Sequence, residues 1–223
     1  TTDIDTYAPY IKAIFDNAPV SIPYTIADES VSKGNTLFTA IRDILSVDTQ
    51  TFKAEEVLAL LDSSYIRRRF NFNDIAIVRQ AVREAGIYFG TGTNDDASEL
   101  YDQTEAWMVS WKYGLEKIMY GLCMSSDEEF AGANKPLIPL DTAEGAGMYD
   151  RVRLYHFIQV LKNLLDERVE RKTLKQWSEY LGKIMTEMIL EEDDEDEDFP
   201  RFAHLKDSIM QLDEAAAGES ISY

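Results

Sequence analysis

Residues 67–90 read RRRFNFNDIAIVRQAVREAGIYFG, and their pattern predicts the fold class. Apolar residues recur at spacings of three and four, as on the buried face of an α-helix: Ile75, Val78, Val82 and Ala85. Asn73 is the predicted N-cap, because its side-chain oxygen can accept from a free backbone N–H of the first turn. Gly86 is predicted to end the helix, since glycine tolerates the left-handed conformation. The segment therefore indicates a helical protein.

Helical periodicity extends to both sides of this segment. It predicts helices at about 6–17, 35–46, 54–62, 105–123, 149–169 and 199–216, and a turn over 64–70. Ser21–Ala27 is the one strand candidate, short and bounded by polar residues. The predicted fold is mainly α, a multi-helix domain with at most a short strand near the N-terminus.

Two local features sharpen the prediction for the second half of the chain. Gly114 and Gly121 lie in the most aromatic helix, where a missing side chain allows a neighbouring element to approach closely. Thr173 and Gln176 form a capping-box pattern, in which each side chain bonds the other residue's backbone N–H. The helix starting there has this apolar stripe: Leu174, Trp177, Leu181, Ile184 and Met188.

Composition limits the kinds of partner. The 223 residues include 45% hydrophobic residues, enough for a real core, and carry a formal net charge of −19. An acidic surface disfavours broad contact with a nucleic-acid backbone, which requires a basic face. Any nucleic-acid role is therefore expected to be local, or to be supplied by other parts of an assembly.

The low cysteine content and the absence of long apolar runs in the sequence indicate the cellular location. The single cysteine, Cys123, excludes an intramolecular disulfide and is predicted to be a small buried residue. No apolar run approaches the ~20 residues that span a bilayer, and no signal peptide is evident. A cytoplasmic location is expected. The sequence starts at Thr1, so we expect a piece of a larger protein.

Sequence motifs for catalysis are not evident. Lys33-Gly34-Asn35-Thr36 has the residue types of a phosphate-binding loop in the wrong order, and Gly90-Thr91-Gly92 lacks the third glycine of a dinucleotide site. His156 and His204 stand in no metal-binding spacing, and the former is predicted to be partly buried. The acidic block Glu191–Asp198 is interpreted as a solvated linker. We therefore predict no catalytic, nucleotide-binding or metal-binding residues.

The three consecutive arginines Arg67, Arg68 and Arg69 are the candidate contact site. Successive residues on one helical turn point in different directions, so one arginine can pair internally while two face outward. Contact with nucleic acid or a partner protein is one interpretation. Internal salt bridges are the other, and both remain open from the sequence.

Seven collinear segments carry a family resemblance: DIDTYAPYIKAIFD (3–16), IPYTIAD (22–28), FKAEEVLALLDSSYIRRRF (52–70), VRQAVREAGIYFG (78–90), WKYGLEKIMYGLCM (111–124), IPLDTAEG (138–145) and TLKQWSEYLGKIM (173–185). Together they resemble the RecC family, the gamma chain of exodeoxyribonuclease V in the RecBCD helicase–nuclease. The chain departs from the family pattern at Glu29, Ala81, Tyr88 and Phe89. One basic position of the family is lost there, which weakens any transfer of DNA contacts.

The resemblance implies an architecture. RecC has the fold of a superfamily 1 helicase without ATPase motifs, and this chain would cover its accessory 2B-like domain. Residues 1–30 would be the edge of a motor-like 2A domain, 31–216 the helical 2B-like domain with an acidic linker at 191–198, and 217–223 a polar tail. Ala27–Phe38 keeps only Leu37-Phe38 of the pattern found near nucleotide in active relatives.

The resemblance also implies a function: scaffolding and channelling of DNA strands while duplex ends are unwound and degraded in recombinational repair. The partners would be RecB-like and RecD-like subunits, with duplex DNA ends and single strands bound through the whole complex and no membrane involved. This chain would hold no cofactor and have no catalysis of its own, since ATP and magnesium would belong to partner subunits. The alternative is a protein–protein interaction domain with no direct DNA contact.

Overall fold

The computed structural model describes residues 37–92, 106–124, 137–140, 147–189, 198–215 and 220–222. All of them belong to the second of two units into which the chain divides, Thr36–Tyr223. The predicted helix at 6–17, the strand candidate Ser21–Ala27 and residues 191–197 of the acidic block lie outside the described residues. The assignments of 1–30, 31–216 and 217–223 to particular domains stay predictions.

The described residues are mainly α-helical, which confirms the predicted fold class. They form α1 (Leu37–Ser46), α2 (Ala54–Ala59), α3 (Ser64–Arg69), α4 (Ile75–Ala85), α5 (Trp111–Gly121), α6 (Gly147–Arg168), α7 (Leu174–Met188) and α8 (Asp198–Ala215). One 3-10 helix, Leu60–Asp62, follows α2, and another, Ala106–Val109, precedes α5. The predicted helix 105–123 is therefore interrupted. Ser110 caps α5 by accepting from the backbone N–H of Tyr113, so a new helix starts at Trp111.

Two very short strands complete the described structure. β1 (Lys172–Thr173) pairs antiparallel with β2 (Ser220–Ile221). Neither strand was predicted, because two residues are too few to show the alternating pattern of a strand. The pairing joins the start of α7 to a segment that the sequence analysis assigned to a polar tail.

Helix α4 begins one residue later than its predicted cap. Asp74, not Asn73, is the N-cap, and its carboxylate accepts from the backbone N–H of Ala76 at 2.8 Å. The backbone N–H groups of Asn73 and Asp74 both donate to Asp150 on α6. Gly86 ends the helix at φ 74°, the left-handed conformation that was predicted.

The core is arranged around α6, which packs against α4, α5 and α7. Its fully buried side chains include Leu154, Phe157, Leu161 and Leu164, in agreement with the predicted inner face. Helix α8 packs against α7 and α1, and α3 contacts α1 and α7. Burial of apolar area, at roughly 25 cal/mol per Å², is the main force that holds these helices together.

A buried aromatic contact connects the loop before α2 with α5. The indole N–H of Trp111 donates to the backbone carbonyl of Phe52 at 3.0 Å, and the two rings meet edge to face at 6.0 Å. Gly114, one turn further along α5, faces Ile87. A Cβ at that position would lie 2.1 Å from the Cγ1 atom of Ile87. The predicted close approach at Gly114 is therefore confirmed, and at Gly121 the neighbour is the backbone of Leu140.

The buried face of α7 differs from the predicted stripe. Ser178, Tyr180, Ile184, Met185 and Met188 are buried, whereas Trp177 and Leu181 are only partly buried. The physical reason is that α7 packs against both α6 and α8, so its buried face is wider than one stripe. The hydroxyl of Tyr180 donates to the Leu164 carbonyl of α6 at 2.7 Å, which makes its burial tolerable.

Candidate functional site

The three arginines of the candidate contact site form the last turn of α3, and the structure gives them different environments. Arg67 and Arg68 are exposed, whereas Arg69 is partly buried. The Nε of Arg69 donates to the backbone carbonyl of Thr186 on α7 at 3.2 Å. Arg69 therefore serves at least partly as an internal tie, and its partner there is a carbonyl and not the carboxylate of the salt-bridge interpretation. The contact role of the other two stays a prediction.

The turn after α3 fixes where these arginines lie. Phe70 is buried and packs edge to face on Phe157 of α6, with ring centroids 5.1 Å apart. Asn71 then adopts a left-handed conformation at φ 54°, which asparagine tolerates better than most residues. The backbone N–H of Phe72 donates to the Arg67 carbonyl at 3.0 Å. The packing of Phe70 on Phe157 therefore fixes the position of the last turn of α3, which carries the three arginines, relative to α6.

A buried carboxylate connects the next turn to the same helix. Asp150, in the first turn of α6, is 1% exposed. Its Oδ1 accepts from the backbone N–H of Asn73 at 3.1 Å and from Nη1 of Arg153 at 2.9 Å, and its Oδ2 accepts from the N–H of Asp74 at 3.0 Å. Asp150 thus satisfies the two donors just ahead of α4 and holds the start of that helix against α6.

Two further cations are buried at helix ends. The guanidinium of Arg168 donates to the carbonyls of Leu45 and Val47, at the end of α1, the second at 3.0 Å. The ammonium of Lys172 donates to the Glu167 carbonyl at the end of α6 and lies 5.4 Å from the centroid of the Tyr180 ring. Both cations lie where the helix dipole is negative, which favours a positive charge. The sequence analysis did not identify Asp150, Arg168 or Lys172, since no local pattern marks a buried charge.

Two lysines have shifted pKa values. Burial lowers the pKa of Lys117, whose ammonium donates to the Ala85 carbonyl at the end of α4 at 3.0 Å. The hydrogen bond from Lys183 on α7 to Glu167 on α6, at 2.5 Å, raises the pKa of Lys183, and the charges of Glu167 and Glu187 act in the same direction. The second pair ties α6 to α7 across their interface.

The raised pKa of Lys183 predicts a pH dependence of stability. Because its pKa is higher in the folded than in the unfolded chain, the stabilisation is fully present below 10.5, the ordinary value, and is lost as the pH rises through the folded-state pKa. The difference in unfolding free energy between wild type and Lys183→Met should therefore shrink over the range from about pH 10.5 upward, measured by urea unfolding. Lys175→Met, on the exposed side of α7, is the control. A Lys183 difference that is constant across this range would contradict the assignment.

A cleft of about 200 Å³ lies between α5 and α6. Its lining includes the aromatic residues Phe52 and Trp111, together with Ile158. Charged side chains also line it: Lys112, Glu116 and Lys162. Sequence analysis did not identify this cleft, because its residues come from four separate stretches of the chain.

The remaining sequence-predicted residues do not assemble into a site. His156 is exposed and lies 5.6 Å from the ring of Phe70, so the prediction that it is partly buried is wrong. Cys123 is also exposed, contrary to its predicted burial, because α5 ends at Gly121 and the chain leaves the core there. Within the described ranges, no cluster of three or more metal-ligating side chains occurs. None of the helices described has the length and hydropathy to cross a membrane.

Comparison with known proteins gives one consistent result. The profile of the RecBCD enzyme subunit RecC fourth domain matches residues 34–222. RecBCD enzyme subunit RecC of Haemophilus influenzae is 29% identical over 197 residues, which covers 86% of this chain and 17% of that protein. The Escherichia coli protein of the same name is 31% identical over 147 residues, 64% of this chain and 13% of that protein. The Mycolicibacterium smegmatis protein is 26% identical over 215 residues, with 86% and 19% covered. The chain thus spans less than a fifth of the length of these relatives.

Proposed function

The chain belongs to the family of the RecBCD enzyme subunit RecC fourth domain, and on that premise we propose that it is a non-catalytic helical domain of a RecC-like subunit in DNA repair. In this role it scaffolds partner subunits and channels DNA strands while the whole enzyme unwinds and degrades duplex ends in the cytoplasm. Its partners are RecB-like and RecD-like subunits. ATP hydrolysis and magnesium-dependent cleavage belong to those partners.

The match over residues 34–222 is the observation that carries this proposal. The relatives are named as subunits of the RecBCD enzyme, which supports membership of this chain in such an assembly. Because the chain corresponds to 17% of the Haemophilus influenzae protein, the activity is proposed for the assembled enzyme and only a structural contribution for this domain.

The construction of the helical unit supports a scaffolding role. Buried charges tie α4 to α6 through Asp150 and α1 to α6 through Arg168. Buried charges that form hydrogen bonds between helices favour one arrangement of these helices, because an alternative arrangement leaves them without these partners. The exposed Arg67 and Arg68 are therefore held at a defined place on a rigid support. This geometry supports a local contact with a phosphate backbone in a chain that is otherwise acidic.

The proposed DNA contact is tested in the full-length subunit assembled with its partners, with Arg67→Ala and Arg68→Ala combined. We expect affinity for a duplex end to fall about tenfold at low salt. The slope of log affinity against log salt should decrease by about 2, because each arginine would neutralise one phosphate. The control combines Arg83→Ala with Lys175→Ala, two exposed basic residues on α4 and α7. Binding is measured by fluorescence anisotropy with a labelled forked duplex.

The same experiment addresses the alternative function. The net charge of −19 favours a protein–protein interaction domain without DNA contact. If the double arginine variant binds DNA normally but no longer co-purifies with the other subunits, the arginines contact a partner protein and the alternative is supported. Unchanged DNA binding together with unchanged assembly would refute a contact role for both arginines.

A further inference from the structure

The cleft between α5 and α6 continues into an exposed apolar stripe along α6. Met148, Tyr149, Val152 and Tyr155 are between 41% and 63% exposed, and three of them recur at the four- and three-residue spacing of one helix face. Tyr155 also lines the cleft. Contiguous exposed apolar residues of this kind, next to a pocket, are typical of a protein-binding surface. We call this stripe together with the cleft the α5–α6 surface.

The α5–α6 surface carries two positive charges in a chain that is acidic as a whole. Lys112 and Lys162 line the cleft, and within the described residues neither side chain forms an ion pair or hydrogen bond. Lys112 lies in the first turn of α5, where the positive end of the helix dipole disfavours a cation. In a chain of net charge −19, the lining of this cleft holds two ammonium groups against the single carboxylate of Glu116, which makes it locally positive. The charge complement of this site is a carboxylate.

We infer that the α5–α6 surface binds an acidic segment of a partner subunit that inserts one large apolar side chain into the cleft. Tyr155, which is 41% exposed, would supply most of the apolar contact with the inserted side chain, because Phe52, Trp111 and Ile158 line the cleft but are at most 3% exposed. Lys112 and Lys162 would pair with carboxylates that flank it. A pocket that buries one apolar anchor inside a polar rim is the usual organisation of the strongest contacts at a protein interface. This inference rests on the proposed membership in a multi-subunit assembly and identifies one surface that serves it.

Two other occupants fit the surface less well. A nucleic-acid strand would place phosphates along several cations, whereas this cleft offers two lysines. A second copy of the chain, bound about a two-fold axis through the cleft, would bring the same lysines against each other. An acidic segment with an apolar anchor satisfies both the charge and the apolar lining.

The experiment places the photo-crosslinking amino acid p-benzoylphenylalanine at Tyr155 in the full-length subunit, within the assembled enzyme. After irradiation, we expect a cross-link to another subunit, which mass spectrometry maps to a segment with acidic residues beside a large apolar one. The same photo-crosslinker at Glu179, on the exposed side of α7, is the position control. A cross-link from Tyr155 to DNA or to a second copy of the chain, or no cross-link at all, would overturn the inference.

Charge reversal tests the role of the lysines. Lys112→Glu combined with Lys162→Glu should lower the cross-link yield about tenfold. Arg83→Glu combined with Lys175→Glu changes the net charge equally at distant exposed positions and should leave the yield unchanged. Lys112→Glu improves the interaction with the helix dipole, so unfolding is not expected to explain a loss, and an unchanged urea midpoint verifies this. Equal yields in both double variants would overturn the charge assignment.

Failure of this inference can be distinguished from failure of the proposed function. Co-purification of the wild-type subunit with its partners measures assembly without reference to the α5–α6 surface. If assembly occurs and Tyr155 does not cross-link to a partner, only the inference fails. If the wild-type subunit does not assemble with any partner, the proposed function fails and the inference fails with it.

Discussion

Replacing Asp150 with alanine is expected to lower the free energy of unfolding by about 3 kcal/mol. The carboxylate is 1% exposed and accepts hydrogen bonds from two backbone N–H groups ahead of α4 and from Arg153. Its removal leaves these donors without their acceptor and Arg153 without its counter-charge. The higher helix propensity of alanine returns less than about 0.7 kcal/mol.

The measurement is urea unfolding of the purified chain, followed by circular dichroism. Asp150→Asn should cost about 2 kcal/mol, because it keeps one acceptor oxygen but loses the charge and presents an N–H₂ group to a donor. Asp166→Ala, on the exposed face of the same helix, should change the stability by less than about 0.5 kcal/mol. If Asp150→Ala is no more destabilising than Asp166→Ala, the hydrogen bonds of Asp150 do not hold α4 to α6.

Replacing Arg168 with methionine is expected to cost about 3 kcal/mol. Methionine is similar in length and flexibility, so packing changes little, but it cannot donate hydrogen bonds. The carbonyls of Leu45 and Val47 at the end of α1 would lose the charged donors that satisfy them in a buried position. Arg168→Lys should lower the free energy of unfolding by an intermediate amount, because one ammonium group cannot reproduce the geometry in which two N–H groups of a guanidinium donate to two carbonyls.

Arg171 provides the matched control for Arg168. Its Nη2 also donates to a backbone carbonyl, that of Ser220 at 3.0 Å, but Arg171 is exposed whereas Arg168 is buried. Because water can replace an exposed hydrogen bond, Arg171→Met should cost less than about 1 kcal/mol in the same unfolding measurement. Similar losses of stability in Arg168→Met and Arg171→Met would contradict the claim that burial makes the Arg168 hydrogen bonds important.

Local patterns in the sequence correctly predicted several features of the fold. Gly86 ends α4 in the left-handed conformation, and Thr173 and Gln176 form the predicted capping box. Each of these depends on residues within one turn of one another, so a short stretch of sequence contains all the information needed. The predicted N-cap of α4 was wrong by one residue, because Asp74 caps a helix as well as asparagine does and its carboxylate accepts from the N–H of Ala76.

The candidate site was less predictable than the fold. The sequence analysis identified Arg67, Arg68 and Arg69 as one unit, but the structure separates the partly buried Arg69 from the other two. That difference depends on the Thr186 carbonyl of α7, which no pattern around residue 67 could indicate. The cleft beside Lys112 and Lys162 was missed for the same reason, since its two lysines lie on different helices.

The sequence by itself determined the helical class, most of the helix bounds and the family, because these depend on local periodicity, capping residues and short collinear motifs. Only the tertiary structure decided which charges are buried, which arginine is tied internally, and which apolar residues of α6 stay exposed beside the cleft. The physical reason is that burial and hydrogen bonding depend on what packs against a residue. For Arg67–Gly90, the packing partners include α6 and α7, which lie far along the chain.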